Sequence, residues 1–180
     1  MIIGLGGRAG SGKGTVVDYL VEQHGFTHHS FRDFLAEELR KRGVPITRPS
    51  LGGMGDEIRA TKGSISKVLL ESVDGDIGDV VLESVRSIAE ANHIRSVGGV
   101  IWVVDADIHE RYRRISERKS EIDNISFEQF VREEENELAN PEPHKMNMNA
   151  VADMADVVLR NDGTKDELHG QIEKALEKVQ

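Results

Sequence analysis

The chain has no cysteine. That absence excludes disulfides, thiolate nucleophiles and cysteine-based zinc sites together. Positive charge is also in short supply: 23 lysines and arginines stand against 32 aspartates and glutamates, a formal net charge of −9. General binding to nucleic acid or to an anionic membrane scales with basic contacts, so this balance disfavours both. It is compatible with a local basic pocket for a small anion. Long hydrophobic runs are missing. The first apolar stretch, Met1–Leu5, has no basic region before it and is too short for a signal peptide or a membrane span. Repeats, linkers and low-complexity segments are missing too. For 180 residues, 31% of them charged, the expectation is a single folded domain over 1–180, cytoplasmic, and a monomer or homodimer.

What is present is an alternation. Five short, largely β-branched apolar runs read as strands: Met1–Leu5, Gly25–Ser30, Val80–Leu82, Val100–Val104 and Val157–Leu159. Four of them are nearly continuous, as in strands covered on both faces. Helical spacing lies between them, in Val16, Val17, Leu20 and Val21, then in Phe31, Phe34, Leu35 and Leu39. Asp107 with Glu110, Ser126 with Gln129 and Thr164 with Glu167 read as helix caps. The last opens a helix with Leu168, Ile172, Ala175, Leu176 and Val179 on one face. Strands alternating with helices imply βαβ units, a parallel sheet, and ligands at the carboxyl ends of its strands. Gly43–Asp79 and Lys119–Ser126 fit the alternation poorly. Such inserts in an α/β core tend to hold substrate-specific parts.

The strongest signal is Gly7-Arg8-Ala9-Gly10-Ser11-Gly12-Lys13-Gly14-Thr15. It follows an apolar strand and opens an amphipathic helix, the context a phosphate loop requires. Its glycines let several backbone N–H groups curl toward one phosphate chain, and the helix N-terminus adds partial positive charge. Lys13 is placed to reach the β- and γ-phosphates. After the third strand, Glu83 is a strand-end carboxylate able to orient Mg²⁺ or its water shell, and Arg86 projects into the same crevice, where a guanidinium suits a phosphate. Arg111, Arg114 and Arg118 share one helical face, a stripe able to clamp a triphosphate. Arg113 and Lys119 read instead as solvated surface, as do most of the seven histidines, which show no metal spacing beyond the adjacent His28-His29.

These segments resemble the P-loop nucleoside monophosphate kinases, such as adenylate and cytidylate kinase. The resemblance rests on the GKGT ending of the loop, the Glu83-Ser84-Val85-Arg86-Ser87 segment, the arginine helix and Asn161-Asp162-Gly163-Thr164. Glu83-Ser84-Val85-Arg86-Ser87 is closer still to a segment of a small archaeal family related to adenylate and dephospho-coenzyme A kinases. Glu83 there stands at an aspartate position and Ser84 at a glycine position.

The resemblance implies a three-layer α/β/α P-loop NTPase fold, with a five-stranded parallel sheet in order 2-3-1-4-5. An acceptor-binding insert would span 31–78 and a short lid 118–127. ATP would be held by Gly10, Ser11, Gly12, Lys13, Gly14, Thr15, Arg114, Asn161 and Gly163. Mg²⁺ would be held near Thr15 and Glu83, largely through water. Arg32, Asp33, Arg59 and Arg86 would bind the acceptor, and Lys13, Arg86, Arg114 and Arg118 would carry catalysis. The implied function is transfer of phosphate from ATP to a small nucleotide, with a nucleoside monophosphate as the expected acceptor. Two alternatives stay open. One is a dephospho-coenzyme A kinase, in which Asp33 serves as base for a ribose hydroxyl. The other is a nucleotide-binding regulator or slow ATPase.

Overall fold

The structure, a computed structural model, describes residues 1–73, 77–117, 125–138, 140, 142 and 145–179. Strands β1 (Ile2–Gly7), β2 (Thr27–Ser30), β3 (Val80–Val85), β4 (Val100–Asp105) and β5 (Val157–Arg160) form one sheet. All neighbours pair in parallel, in the order β2-β3-β1-β4-β5. The chain runs from β1 outward to β2, returns to β3, then crosses to β4 and β5 on the other side. The carboxyl end of β1 therefore opens at the point where the strand order reverses, the usual ligand crevice of such sheets.

Alternating side chains split the core in two. One face of the sheet presents Ile3, Leu5, Val81, Trp102, Val104 and Leu159 to α1 (Lys13–His24) and α9 (Lys165–Val179). The other presents Val80, Leu82, Val85, Ile101 and Val103 to α2 (Phe31–Lys41), α3 (Arg48–Lys62), α4 (Ile65–Glu71), α5 (Ile88–Ser96) and α8 (Met148–Asp153). Both faces of β1, β3 and β4 are thus covered, which is why those strands are apolar until their carboxyl ends, where Glu83, Ser84 and Asp105 stand. Truncating a fully buried residue such as Leu82 or Ile101 to alanine costs about 2–5 kcal/mol. Two further helices, α6 (Ile108–Glu117) and α7 (Phe127–Leu138), lie against the loop after β1.

Local chemistry sets the boundaries. Gly25 ends α1 in a left-handed conformation, φ 70°, and its N–H donates to the carbonyls of Leu20 and Val21. β2 therefore begins at Thr27, two residues later than the apolar pattern suggests. The awkward stretch 43–79 contains two capped helices among its described residues. Thr47 and Ser50 form a capping box for α3, and Ser64 caps α4. Both pack onto the sheet through Met54, Ile58, Ile65 and Leu69. The lid expected at 118–127 lies mostly outside the described residues; of it, Ser126 receives the Gln129 amide at 3.2 Å, as the capping pattern predicts.

Candidate functional site

The loop between β1 and α1 is shaped by glycine at two positions above all. Gly10 has φ 76°, and a Cβ there would lie 2.3 Å from the carbonyl oxygen of Arg111. Gly12, the residue before α1, has φ 99°, and a Cβ there would lie 2.0 Å from the side-chain nitrogen of Asn161. Neither place admits a side chain. Gly12 offers no side-chain cap to the first turn of α1, and a helix N-terminus left uncapped in this way suits an anion. Lys13 folds back across the loop, its Nζ donating to the carbonyls of Gly7 at 2.8 Å and Arg8 at 3.1 Å. The Ser11 hydroxyl is fully buried without a hydrogen-bond partner.

Two elements close over this loop. Arg111 on α6 is buried. Its guanidinium is held by Glu134 of α7, by the Ala106 carbonyl and, more loosely, by the Ala9 carbonyl. One turn on, Arg114 donates to the Asn161 carbonyl at 2.8 Å. Asn161 in turn donates its side-chain amide to the Ser11 carbonyl at 2.8 Å. The phosphate loop, the arginine helix and the loop after β5 thus meet at one point. Beside them opens a cleft of about 380 Å³ lined by Gly12, Thr15, Arg114, Glu117, Asn161, Gly163 and Lys165. That volume lies in the range of small-molecule sites.

The far side of the loop is built by β3. Leu5 pairs with Glu83, but Gly6 pairs with Val85. Ser84 is the bulged residue. With φ 79°, it is the one non-glycine of the described chain in the left-handed region. A left-handed non-glycine residue costs about 1–2 kcal/mol and points to a local demand on the backbone. The Glu83 carboxylate is hydrogen-bonded by His28 Nε2 at 3.1 Å. Burial pushes its pKa up, but the His28 hydrogen bond and the charges of Lys13, His28 and Arg86 outweigh that and hold it below the usual carboxylate range. Glu83 is therefore an ionised oxygen donor beside the loop. Among the described residues no cluster of three or more His, Asp or Glu side chains could cage a metal. A hard cation that kept most of its water, near Glu83 and the half-buried Thr15, would suit this donor set.

Most of the expected site residues meet at the carboxyl edge of the sheet. Gly10, Ser11, Gly12, Lys13, Gly14 and Thr15 form the loop and the start of α1; Arg114, Asn161 and Gly163 line or close the cleft. Arg86 follows β3. Arg32 and Asp33 are exposed in the first turn of α2, whose preceding strand ends at Ser30, paired with Glu83. Arg59 is a correction. An arginine gripping an acceptor phosphate should present an open guanidinium, but Arg59 has only 4% of its side chain exposed. Its Nε donates to the fully buried Glu90 at 2.7 Å, and another guanidinium nitrogen donates to Asp56 at 3.0 Å. Arg111 likewise leaves the phosphate stripe to pair with Glu134. Arg118 lies outside the described residues. Arg113 pairs with Glu110 and Glu117 on the surface, as expected.

Three contributors escaped the sequence reading. His28 has no local signal of a role, yet its ring reaches the Glu83 carboxylate from the neighbouring strand. The one local signal for Glu90 is its place as the fourth residue of a Ser87-x-x-Glu90 capping pattern. Met146 touches the Arg86 guanidinium through sulfur at 3.8 Å, from a segment without periodicity.

The parallel order 2-3-1-4-5 and a glycine loop opening α1 define a P-loop kinase-type fold. Solved structures of similar shape include a shikimate kinase from Bacteroides thetaiotaomicron, TM-score 0.62 at 11% identity, covering 99% of this chain and 98% of that one. A gluconokinase from Sinorhizobium meliloti matches with TM-score 0.55 at 14% identity, covering 98% and 94%. At such identities the likeness is one of fold. The chain belongs to the AAA_18 family, described as an AAA domain and matched over residues 3–140, and to the UPF0200 proteins. A UPF0200 protein of Pyrococcus horikoshii is 31% identical over 188 residues, covering 99% of this chain and 97% of the relative. No helix among the described residues is long and apolar enough to cross a membrane.

Proposed function

We propose that this chain is an ATP-dependent phosphotransferase acting on a small nucleotide, with a nucleoside monophosphate as acceptor. The observation that carries the reading is the junction of Ser11, Arg114 and Asn161. It joins an anion-binding loop to a cleft of nucleotide size, with an ionised Glu83 across the loop.

In this reading the β- and γ-phosphates lie against the amides of Gly10–Thr15, and the base and ribose occupy the cleft by Asn161 and Gly163. The Lys13 ammonium exchanges the Gly7 and Arg8 carbonyls for phosphate oxygens, a short swing that replaces neutral acceptors by charged ones. Arg114, anchored at both loops, stabilises charge on the transferring group, and Arg118 is assigned the same work from the next turn. Arg86 and Arg32 hold the acceptor phosphate. An acceptor oxygen attacks the γ-phosphorus in line. The new P–O bond forms as the bond to the β–γ bridging oxygen breaks, and ADP leaves with that electron pair. A phosphate acceptor is already ionised, so no side-chain base is required. Thr15 and Glu83 would orient Mg²⁺ through water, and the cation would neutralise charge on the phosphates when bound.

The test is labelled ATP against a panel of ribo- and deoxynucleoside monophosphates, dephospho-coenzyme A, shikimate and gluconate, scored by product. A labelled nucleoside diphosphate supports the reading. Product only from a hydroxyl acceptor, or ATP binding with no product from any acceptor, overturns it. Lys13→Ala should lower the transfer rate by roughly 10² or more while the far-ultraviolet spectrum stays unchanged.

A further inference from the structure

Arg86 is held from two sides by a closed circuit of contacts. Glu90, at the start of α5, is fully buried. One of its oxygens accepts the backbone amides of Arg86 at 3.0 Å and Ser87 at 2.9 Å. The other accepts Arg59 Nε at 2.7 Å. Arg59 also donates to Asp56, and Asp56 receives the Lys145 ammonium at 2.6 Å. Two residues beyond Lys145, the amide of Asn147 donates to the Arg86 carbonyl at 2.8 Å, while Met146 sulfur lies against the Arg86 guanidinium. The circuit passes through the end of β3, α5, α3 and the segment before α8.

A capping box needs only the Ser87 amide and tolerates solvent. Here the carboxylate also takes the amide of Arg86 and is wholly removed from water, a costly state unless it is neutralised. Arg59 supplies the neutralising charge from α3. If packing were the only requirement, an apolar pair of similar volume would serve as well or better. What the ion pair adds is a fixed oxygen under the backbone of Arg86.

We infer that Glu90, Arg59, Asp56 and Lys145 form a positioning relay that sets Arg86, so that α3 and the segment before α8 control the acceptor site without touching the acceptor. That Arg86 binds an acceptor phosphate rests on the phosphotransfer reading; the relay itself does not. The role differs from direct phosphate binding by Arg59, because its guanidinium faces carboxylates.

The relay is tested with Glu90→Gln and, because that variant removes a buried charge, also with Lys145→Met at the partly exposed link. Arg42→Met, which breaks the exposed pair between Arg42 at the end of α2 and Glu57, a neighbour of Asp56 on the solvent side of α3 and outside the relay, is the control. Amide hydrogen exchange at Arg86 and Ser87 should quicken about tenfold in both relay variants and not in the control. In the kinase assay the acceptor KM should rise about tenfold while ATP affinity by calorimetry stays within about twofold. Arg59→Lys, which keeps the charge and loses the fork, should fall between wild type and Glu90→Gln. Unchanged exchange at Arg86 and Ser87 in folded Lys145→Met overturns the relay. So does a lowered melting temperature with both substrate constants unmoved. Faster exchange in a protein that phosphorylates no acceptor leaves the relay standing and removes the phosphotransfer reading instead.

Discussion

The side-chain amide of Asn161 donates to the main-chain carbonyl of Ser11 across 150 residues of sequence, at 2.8 Å. It is the contact that ties the loop after β5 to the phosphate loop. Asn161→Ala leaves the Ser11 carbonyl without this donor in a site that is nearly closed to water. A destabilisation of about 1–3 kcal/mol is expected, with weaker ATP binding by calorimetry. Trp102, the one tryptophan and fully buried, reports the unfolding by fluorescence.

Gly10 and Gly14 separate two effects of adding a methyl group. At Gly10 the new Cβ meets the Arg111 carbonyl and the backbone is left-handed, so Gly10→Ala should cost about 2–4 kcal/mol and abolish nucleotide binding. At Gly14 nothing lies within 4 Å and the residue is helical, so Gly14→Ala should gain about 0.5–1 kcal/mol. Paired denaturation curves check both signs.

Glu83 predicts a pH dependence. Its folded-state pKa lies below the ordinary value, despite burial, because of His28, Lys13 and Arg86. Such a group binds fewer protons in the folded state, so its stabilisation is complete above the ordinary carboxylate range and is lost as the pH falls through the lower, folded value. Glu83→Gln should therefore lose less stability than wild type between neutral and strongly acidic pH. Parallel acid-side slopes in the two proteins would remove the assigned ionisation.

Asp33 separates the two kinase readings. With a phosphate acceptor, Asp33→Asn should keep the rate within about threefold, because no proton has to be removed. With a hydroxyl acceptor the same change should cost about 10²–10⁴. Initial rates with both acceptor types decide it.

Much of the fold was legible because it rests on local periodicity. The runs 80–82 and 100–104 are apolar because β3 and β4 are covered on both sides, and Thr164 with Glu167 closes its cap as the spacing says. The 43–79 stretch was not legible. Its two helices depend on sheet packing through Met54, Ile58 and Leu69 more than on an obvious stripe.

The phosphate loop stood in the sequence by itself, since glycine spacing and one lysine determine how a backbone can curl between a strand and a helix. Tertiary structure alone decided the fate of the arginines. Arg59 and Arg111 look in sequence like Arg86 and Arg114, yet the first two are neutralised by Glu90 and Glu134 from other elements. A guanidinium binds whichever anion the fold brings within reach, and that choice is made by chain segments far apart in sequence.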